Sequence, residues 1–160
     1  MRLTSATPIA VLAVALSFTS IASARADDKP KWTMTSDKSE ATLAYGDDSE
    51  ETDLALSCKP HSNSVTIFVG ETDKSLKPKM PVTATFSAGA AKATVAGKTL
   101  PNELAGVPSF TGDLPATDPL FDALAGAPSI SIKVAKSARD IPLKTMGSKA
   151  AAFSKACRKS

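Results

Sequence analysis

Five carboxylates crowd the stretch LAYGDDSEETDLALSC, residues 43–58, between two apolar runs: Asp47, Asp48, Glu50, Glu51 and Asp53. Carboxylates are preferred calcium ligands, but a calcium loop spaces them at alternate positions around a glycine and ends in a distant bidentate glutamate. Here the acids are adjacent and Gly46 precedes them. The pattern therefore favours the solvated tip of a hairpin, with a weak divalent cation site or a partner contact as the alternatives.

Other chemistry-bearing residues are sparse. His61 is the single histidine, which leaves too few nitrogen ligands for a standard zinc site and one candidate base for a catalytic triad. No GxSxG nucleophile motif occurs. The sequence therefore predicts no metal and no cofactor, and places His61 in an exposed loop. Two distant carboxylates that meet in the fold stay open as a route to hydrolysis.

The cysteines, Cys58 and Cys157, are predicted to form one disulfide, because two cysteines in an oxidising compartment pair most simply with each other, and the N-terminus, described next, predicts such a compartment. The chain-entropy model gives about 4–5 kcal/mol for a loop of this length. The alternative is a reactive thiol, which no CxxC pair supports.

The N-terminus has the features of an export signal. Met1-Arg2 is followed by an apolar segment, IAVLAVALSFTSIA at 9–22, and by a small-x-small cleavage pattern at Ala24-Arg25-Ala26. The segment is shorter than the roughly 20 residues that a transmembrane helix needs. We therefore predict a signal peptide at 1–26, no stable membrane insertion, and a periplasmic or secreted protein.

Residues 27–160 are long enough for one domain. Loss of Arg2 and Arg25 with the signal lowers the 19 basic side chains to 17, against 16 acidic ones, a net charge of +1. This balance gives no support to nucleic-acid binding.

Short segments in which apolar and polar residues alternate predict half-buried strands, spaced about ten residues apart. The predicted fold is mainly β, either a sandwich or a small antiparallel barrel. The predicted strands are KWTMTS (31–36), ATLAY (41–45), DLALSC (53–58), SVTIFVG (64–70), PVTATFS (81–87), AKATVAGK (91–98) and SISIKV (129–134).

Two short helices complete the prediction. The first spans 117–126, with Asp118 as its cap and Pro119 at its first position. The second spans 145–157, with Thr145 as its cap. Its apolar stripe consists of Met146, Ala150, Phe153 and Cys157. This C-terminal helix is expected to pack on the sheet that carries Cys58.

The chain from Lys98 to Pro119 is rich in proline and glycine and predicts a long loop. Long loops in compact domains are often binding segments, so this one is the candidate binding surface. The alternative is a packed connection with the same apolar residues tucked beneath it. Those residues are Leu104, Val107, Phe110 and Leu114.

The strand pair ATLAYGDDSEETDLALSC, the stretch LPATDPLFDAL and the ending IPLKTMGSKAAAFSKAC carry a family resemblance. Together they resemble small exported, mostly uncharacterised proteins of alphaproteobacteria, and are loosely similar to periplasmic proteins of the invasion-associated locus B type. The resemblance implies a single exported β-domain without an established catalytic site.

The sequence thus favours a non-enzymatic exported protein that binds an envelope protein or a cell-wall component. The alternative is a small periplasmic hydrolase that uses dispersed carboxylates. A cleft that gathers two acids would favour the hydrolase, and an apolar patch around Val107 and Phe110 would favour the binding protein.

Overall fold

The computed structural model describes residues 29–47 and 52–159. The predicted signal peptide at 1–26 lies outside the described residues, as do Asp48, Glu50 and Glu51 of the acidic stretch. Of the helices in the described ranges, none combines the length and the apolar composition that crossing a membrane requires.

Within these ranges the chain forms nine strands and two helices. The strands are β1 Lys31–Ser36, β2 Ala41–Gly46, β3 Thr52–Cys58, β4 Ser64–Val69, β5 Pro81–Ala88, β6 Ala91–Leu100, β7 Ser109–Pro115, β8 Ser129–Val134 and β9 Ser137–Pro142. The helices are α1 Pro119–Ala123 and α2 Lys149–Cys157.

All of these strands belong to one antiparallel sheet, in the order β1-β2-β3-β4-β7-β6-β5-β8-β9. The sheet curls into a half-barrel, so the barrel-like form of the predicted β architecture is the one that this chain adopts. Where the sheet curls round, the Trp32 Nε1–H of β1 donates to the Pro142 carbonyl of β9 at 2.8 Å. The two edge strands are thereby tied to each other.

The connections give the sheet two different ends. The connection 70–80 passes from β4 to β5, and the loop 101–108 joins β6 to β7. Both lie with the β8–β9 turn at what we call the loop end. The segment that contains α1 passes from β7 to β8 at the opposite end, where α2 also lies. We call this the helix end.

The core lies on one face of the sheet, because alternate residues of each strand point to it. Leu54, Leu56 and Cys58 of β3 are buried while their neighbours are half-buried. Its largest fully buried side chains include Phe86, Phe110, Phe153, Leu43, Ile67, Leu120, Ile130 and Met146.

Both predicted helices are confirmed, with shorter bounds. The Asp118 carboxylate accepts from the Leu120 N–H at 2.9 Å, so it caps α1 as predicted. Thr145 is not the cap of α2, since the helix begins at Lys149 after turns at 144–148. The predicted stripe of Met146, Ala150, Phe153 and Cys157 is nevertheless buried throughout.

The prediction of one long loop from Lys98 to Pro119 is wrong. Strand β6 continues to Leu100, and Ser109–Pro115 form β7 in the middle of the sheet. The alternation was hidden because Gly112 takes the inward position between Phe110 and Leu114. A Cβ on Gly112 would lie 2.8 Å from Val95 Cγ1, so a side chain would not fit there. The prediction also lacks strand β9. Among the inward positions of this strand, Ile141 alone is both apolar and buried, so the sequence shows no alternating pattern there.

Candidate ligand-binding pocket

The predicted binding residues separate into two groups. Phe110 and Leu114 are 0% and 7% exposed and form part of the core, so neither is available to a ligand on the surface. Val107 is half-buried. Leu104 is 78% exposed, far more than Met80 at 38%, the other large apolar side chain that stands out from the described surface. Of the four predicted binding residues, Leu104 is therefore the one whose side chain is available on the surface.

Partly buried hydrogen bonds fix the 101–108 loop that carries Leu104. The Asn102 Nδ2 amide donates to the Gly70 carbonyl at 3.0 Å and to Ser109 Oγ at 3.2 Å. Its Oδ1 accepts from the Ala105 N–H at 3.1 Å. The Thr72 N–H donates to the Pro108 carbonyl at 3.1 Å. The loop is thus tied at both of its ends to the segment that follows β4.

Gly70 permits this close approach. A Cβ on Gly70 would lie 2.1 Å from the Thr52 carbonyl oxygen, so any side chain would separate β3 from the start of the 70–80 connection. The Gly70 N–H donates to the Asp53 carbonyl at 3.0 Å. Its own carbonyl accepts from Asn102 and from Ser109. Glycine at this position therefore holds the loop against the sheet.

A pocket of about 370 Å³ lies beneath the loop, on the outer face of the sheet. Its size falls in the range of small-ligand sites, roughly 300–1,000 Å³. Phe68 of β4 points away from the core and contributes an aromatic ring to the pocket lining. The lining residues are Thr52, Asp53, Phe68, Gly70, Glu71, Leu100, Pro101, Asn102, Leu104, Ala105 and Ser109.

Two residues with carboxylate side chains line this pocket. Asp53 pairs with Arg139 of β9, with 3.0 Å between Oδ1 and Nη1, and both side chains are partly exposed. Arg139 also donates to the Glu71 carbonyl. The Glu71 side chain, by contrast, is exposed to solvent. Asp53 and Glu71 therefore line the same pocket, and Arg139 neutralises the charge of Asp53.

A second contact holds the 70–80 connection in place next to the pocket. The Asp73 carboxylate accepts from the Ser75 N–H at 2.8 Å and, through its other oxygen, from the Lys136 N–H in the β8–β9 turn at 3.0 Å. Hydrogen bonds from Ser75, and then that from Lys136, hold the pKa of Asp73 below its ordinary value. The ionised carboxylate therefore links the two connections.

The helix end carries the covalent link. Cys58 and Cys157 form the predicted disulfide, with a sequence separation of 99 residues. The His61 N–H donates to the Ala156 carbonyl and the Asn63 N–H to the Cys157 carbonyl, both at 2.9 Å. His61 is exposed, as predicted, and its Nδ1 lies 3.0 Å from the Arg158 carbonyl oxygen. These contacts serve to attach α2 to the β3–β4 turn.

The acidic stretch can be followed only at its ends. Asp53 pairs with Arg139, and Asp47 is half-buried, while the three acids between them lie outside the described residues. Across 29–47 and 52–159, no group of three or more His, Cys, Asp or Glu side chains is arranged to hold a metal ion.

Comparison of the chain with protein-family models, curated proteins and solved structures gives no match.

Sequence reasoning missed several of these residues. Phe68 lies at a half-buried position of β4 between the buried Ile67 and Val69, and an aromatic ring on the outward face of a strand is the signal that could have marked a site. Glu71 and Asn102 carry no pattern of their own. Arg139 lies 86 residues from Asp53, and their contact depends on how the sheet curls.

Proposed function

We propose that this protein is exported to the periplasm or secreted, and that it binds a protein or another envelope component through the pocket beneath the 101–108 loop. The observation that carries the proposal is Leu104, whose side chain is 78% exposed at the mouth of a pocket lined by Phe68 and Pro101. Exposed apolar side chains beside a formed cavity are typical of binding surfaces.

The rigidity of the loop supports binding. Asn102, Ser109 and Thr72 hold the pocket wall by hydrogen bonds from partly or fully buried positions. A wall that is already ordered loses little conformational entropy when a ligand binds. Burial of one leucine side chain contributes about 1.5–3 kcal/mol, so Leu104 is suited to be the main apolar contact.

Export is supported by the predicted signal and by the disulfide between Cys58 and Cys157. Disulfides persist in oxidising compartments and are rare in the cytosol. The resemblance to small exported alphaproteobacterial proteins, and the looser similarity to the locus B type, support the same compartment.

Binding alone is favoured over catalysis by the surroundings of the two acids. A general acid at neutral pH needs a carboxyl whose pKa is raised by burial or by a like charge. Asp53 has 41% of its side chain exposed and pairs with a cation, and Glu71 is exposed. Neither side chain is therefore buried in the apolar surroundings in which such an acid is found.

The test is a pull-down from an envelope extract with the oxidised protein. The captured component is then identified, purified and titrated against Leu104→Ser and against a matched control, Met80→Ser, which alters an exposed apolar side chain outside the pocket. We expect Leu104→Ser to weaken binding at least tenfold and Met80→Ser to leave it unchanged. Equal affinities for both variants would overturn the proposed site.

A small hydrolase is the second candidate, because Asp53 and Glu71 line one pocket. Paired carboxylates are the groups that glycoside hydrolysis requires. Hydrolysis of cell-wall glycan fragments that is lost in Asp53→Asn and in Glu71→Gln would favour this candidate. Turnover that survives both substitutions would exclude these residues as the catalytic pair.

A further inference from the structure

The charged groups around the pocket have one predominant sign. Asp53 and Glu71 line it, and Glu103 lies on the loop between the lining residues Asn102 and Leu104. Among the described lining residues, none has a basic side chain. Arg139 contacts this rim through Asp53 and the Glu71 carbonyl. After that pairing the Glu71 carboxylate still gives the rim a negative charge.

We infer that the ligand is a peptide segment of a partner protein in which an aliphatic side chain stands next to a lysine or an arginine. This inference rests on the proposed function, since it names the chemistry of what the same pocket binds. The aliphatic group enters beneath Leu104, against Phe68. The cation then lies at the rim, beside Glu71.

The apolar walls call for the aliphatic part of the ligand. Phe68, Leu100, Pro101, Leu104 and Ala105 supply ring and aliphatic surface. The polar groups of Asn102 and Ser109 are already engaged with each other and with the Gly70 carbonyl. A polar ligand would have to compete with those hydrogen bonds, whereas an aliphatic side chain leaves them intact.

Glu71 is the residue that selects the cation. Its backbone carbonyl holds Arg139, but its carboxylate points into solvent and makes no hydrogen bond or ion pair with the described residues. An exposed carboxylate gives a modest preference, because solvent screens it. We therefore expect a preference of roughly 2- to 5-fold for a cationic over a neutral neighbour, and a larger difference from an anionic one.

The experiment uses three peptides that differ at one position: acetyl-Gly-Leu-Lys-Gly-amide and its Gln and Glu counterparts. Each is titrated into the isotopically labelled oxidised protein while amide shifts are followed by NMR. We expect shifts at Gly70, Ala105 and Gly106 with all three, and affinity in the order Lys, Gln, Glu. The difference between Lys and Gln should disappear in Glu71→Gln, which keeps the backbone carbonyl that holds Arg139.

Glu40→Gln is the matched control, since it removes one negative charge from an exposed acid outside the pocket. It should leave the preference unchanged. Equal affinity of the three peptides, with shifts still at the pocket, would overturn the inference and leave the proposed function standing. The absence of pocket shifts with every peptide would count against both.

Discussion

At the helix end of the sheet the chain is held by apolar packing and by a covalent bond, whereas at the loop end it is held by hydrogen bonds around an open pocket. The first end buries Phe153 and Met146 and links Cys58 to Cys157. The second displays Leu104 on a loop fixed by Asn102. With the proposed function, this difference assigns ligand binding to the loop end, opposite to the covalent and apolar contacts of the helix end.

The largest expected effect comes from removal of the disulfide. Cys58→Ala combined with Cys157→Ala should lower the free energy of unfolding by about 4–5 kcal/mol, because the unfolded chain regains the freedom of a long closed loop. Urea unfolding of the oxidised protein and of the double variant measures the difference. A loss below about 1 kcal/mol would show that packing of α2, not the covalent bond, holds this end.

Phe110→Ala is the next largest change, and it contrasts two residues that the sequence assigned to one binding loop. Phe110 is fully buried, with its ring 6.4 Å from that of Phe86. Its truncation should cost about 3–5 kcal/mol. Leu104→Ala should change the unfolding free energy by about 0.5 kcal/mol or less, because the side chain is exposed. If urea unfolding showed similar losses of unfolding free energy for Phe110→Ala and Leu104→Ala, this division into a core residue and a surface residue would be contradicted.

Asn102→Ala tests the hydrogen bonds of the loop end. It removes the donor to the Gly70 carbonyl and the acceptor of the Ala105 N–H. We expect the free energy of unfolding to fall by about 1–2 kcal/mol and the backbone amides of Ala105 and Gly106 to exchange hydrogen faster. Ser62→Ala, a polar truncation in the β3–β4 turn, is the control and should not change exchange in the loop. Unchanged exchange in Asn102→Ala would mean that other contacts fix the pocket wall.

Ser154→Ala tests the helix end with a small change of opposite sign. The Ser154 hydroxyl is buried and has no hydrogen-bond partner among the residues that the structure describes. Its removal relieves the burial of an unsatisfied polar group and improves helix propensity. We expect a gain of about 0.5–1 kcal/mol, measured by urea unfolding. A destabilised variant would show that the hydroxyl has a partner in solution.

Asp73→Asn should give the smallest effect, seen as a change in pH dependence. Hydrogen bonds from Ser75 and Lys136 lower the pKa of Asp73 in the folded protein. Its contribution to stability is therefore present above the unfolded pKa of about 3.9 and is lost as the pH falls through the lower, folded pKa. The free energy of unfolding, measured from pH 6 to pH 2, should fall less steeply with decreasing pH in the variant than in the unaltered protein. Identical slopes would contradict the link to the β8–β9 turn.

The strands were predictable where apolar and polar residues alternate. Two strands show this, since the alternation alone identifies the side chains that face the core. They are Leu54, Leu56 and Cys58 in β3, and Ile130, Ile132 and Val134 in β8. The same rule failed for β7, because an inward glycine, Gly112, interrupts the apolar pattern. It failed for β9 because an edge strand needs few buried side chains.

The pocket was only partly predictable. Leu104 is one of the four apolar residues of the predicted loop, and it is the one that the structure leaves exposed. Glu71 and Arg139 were not predicted, because their neighbourhood depends on the crossing from β4 to β5 and on the curl that brings β9 back towards β3. No local pattern encodes a contact between residues that far apart in the chain.

The most direct test of the binding site is photocrosslinking in the cells that produce the protein. Benzoylphenylalanine replaces Leu104 in one protein and Ala90, in the β5–β6 turn at the helix end, in the other. After irradiation, we expect a discrete adduct with an envelope component from position 104 and none from position 90. The same adducts from both positions, or an adduct from position 90 alone, would contradict the claim that the loop end is the binding end.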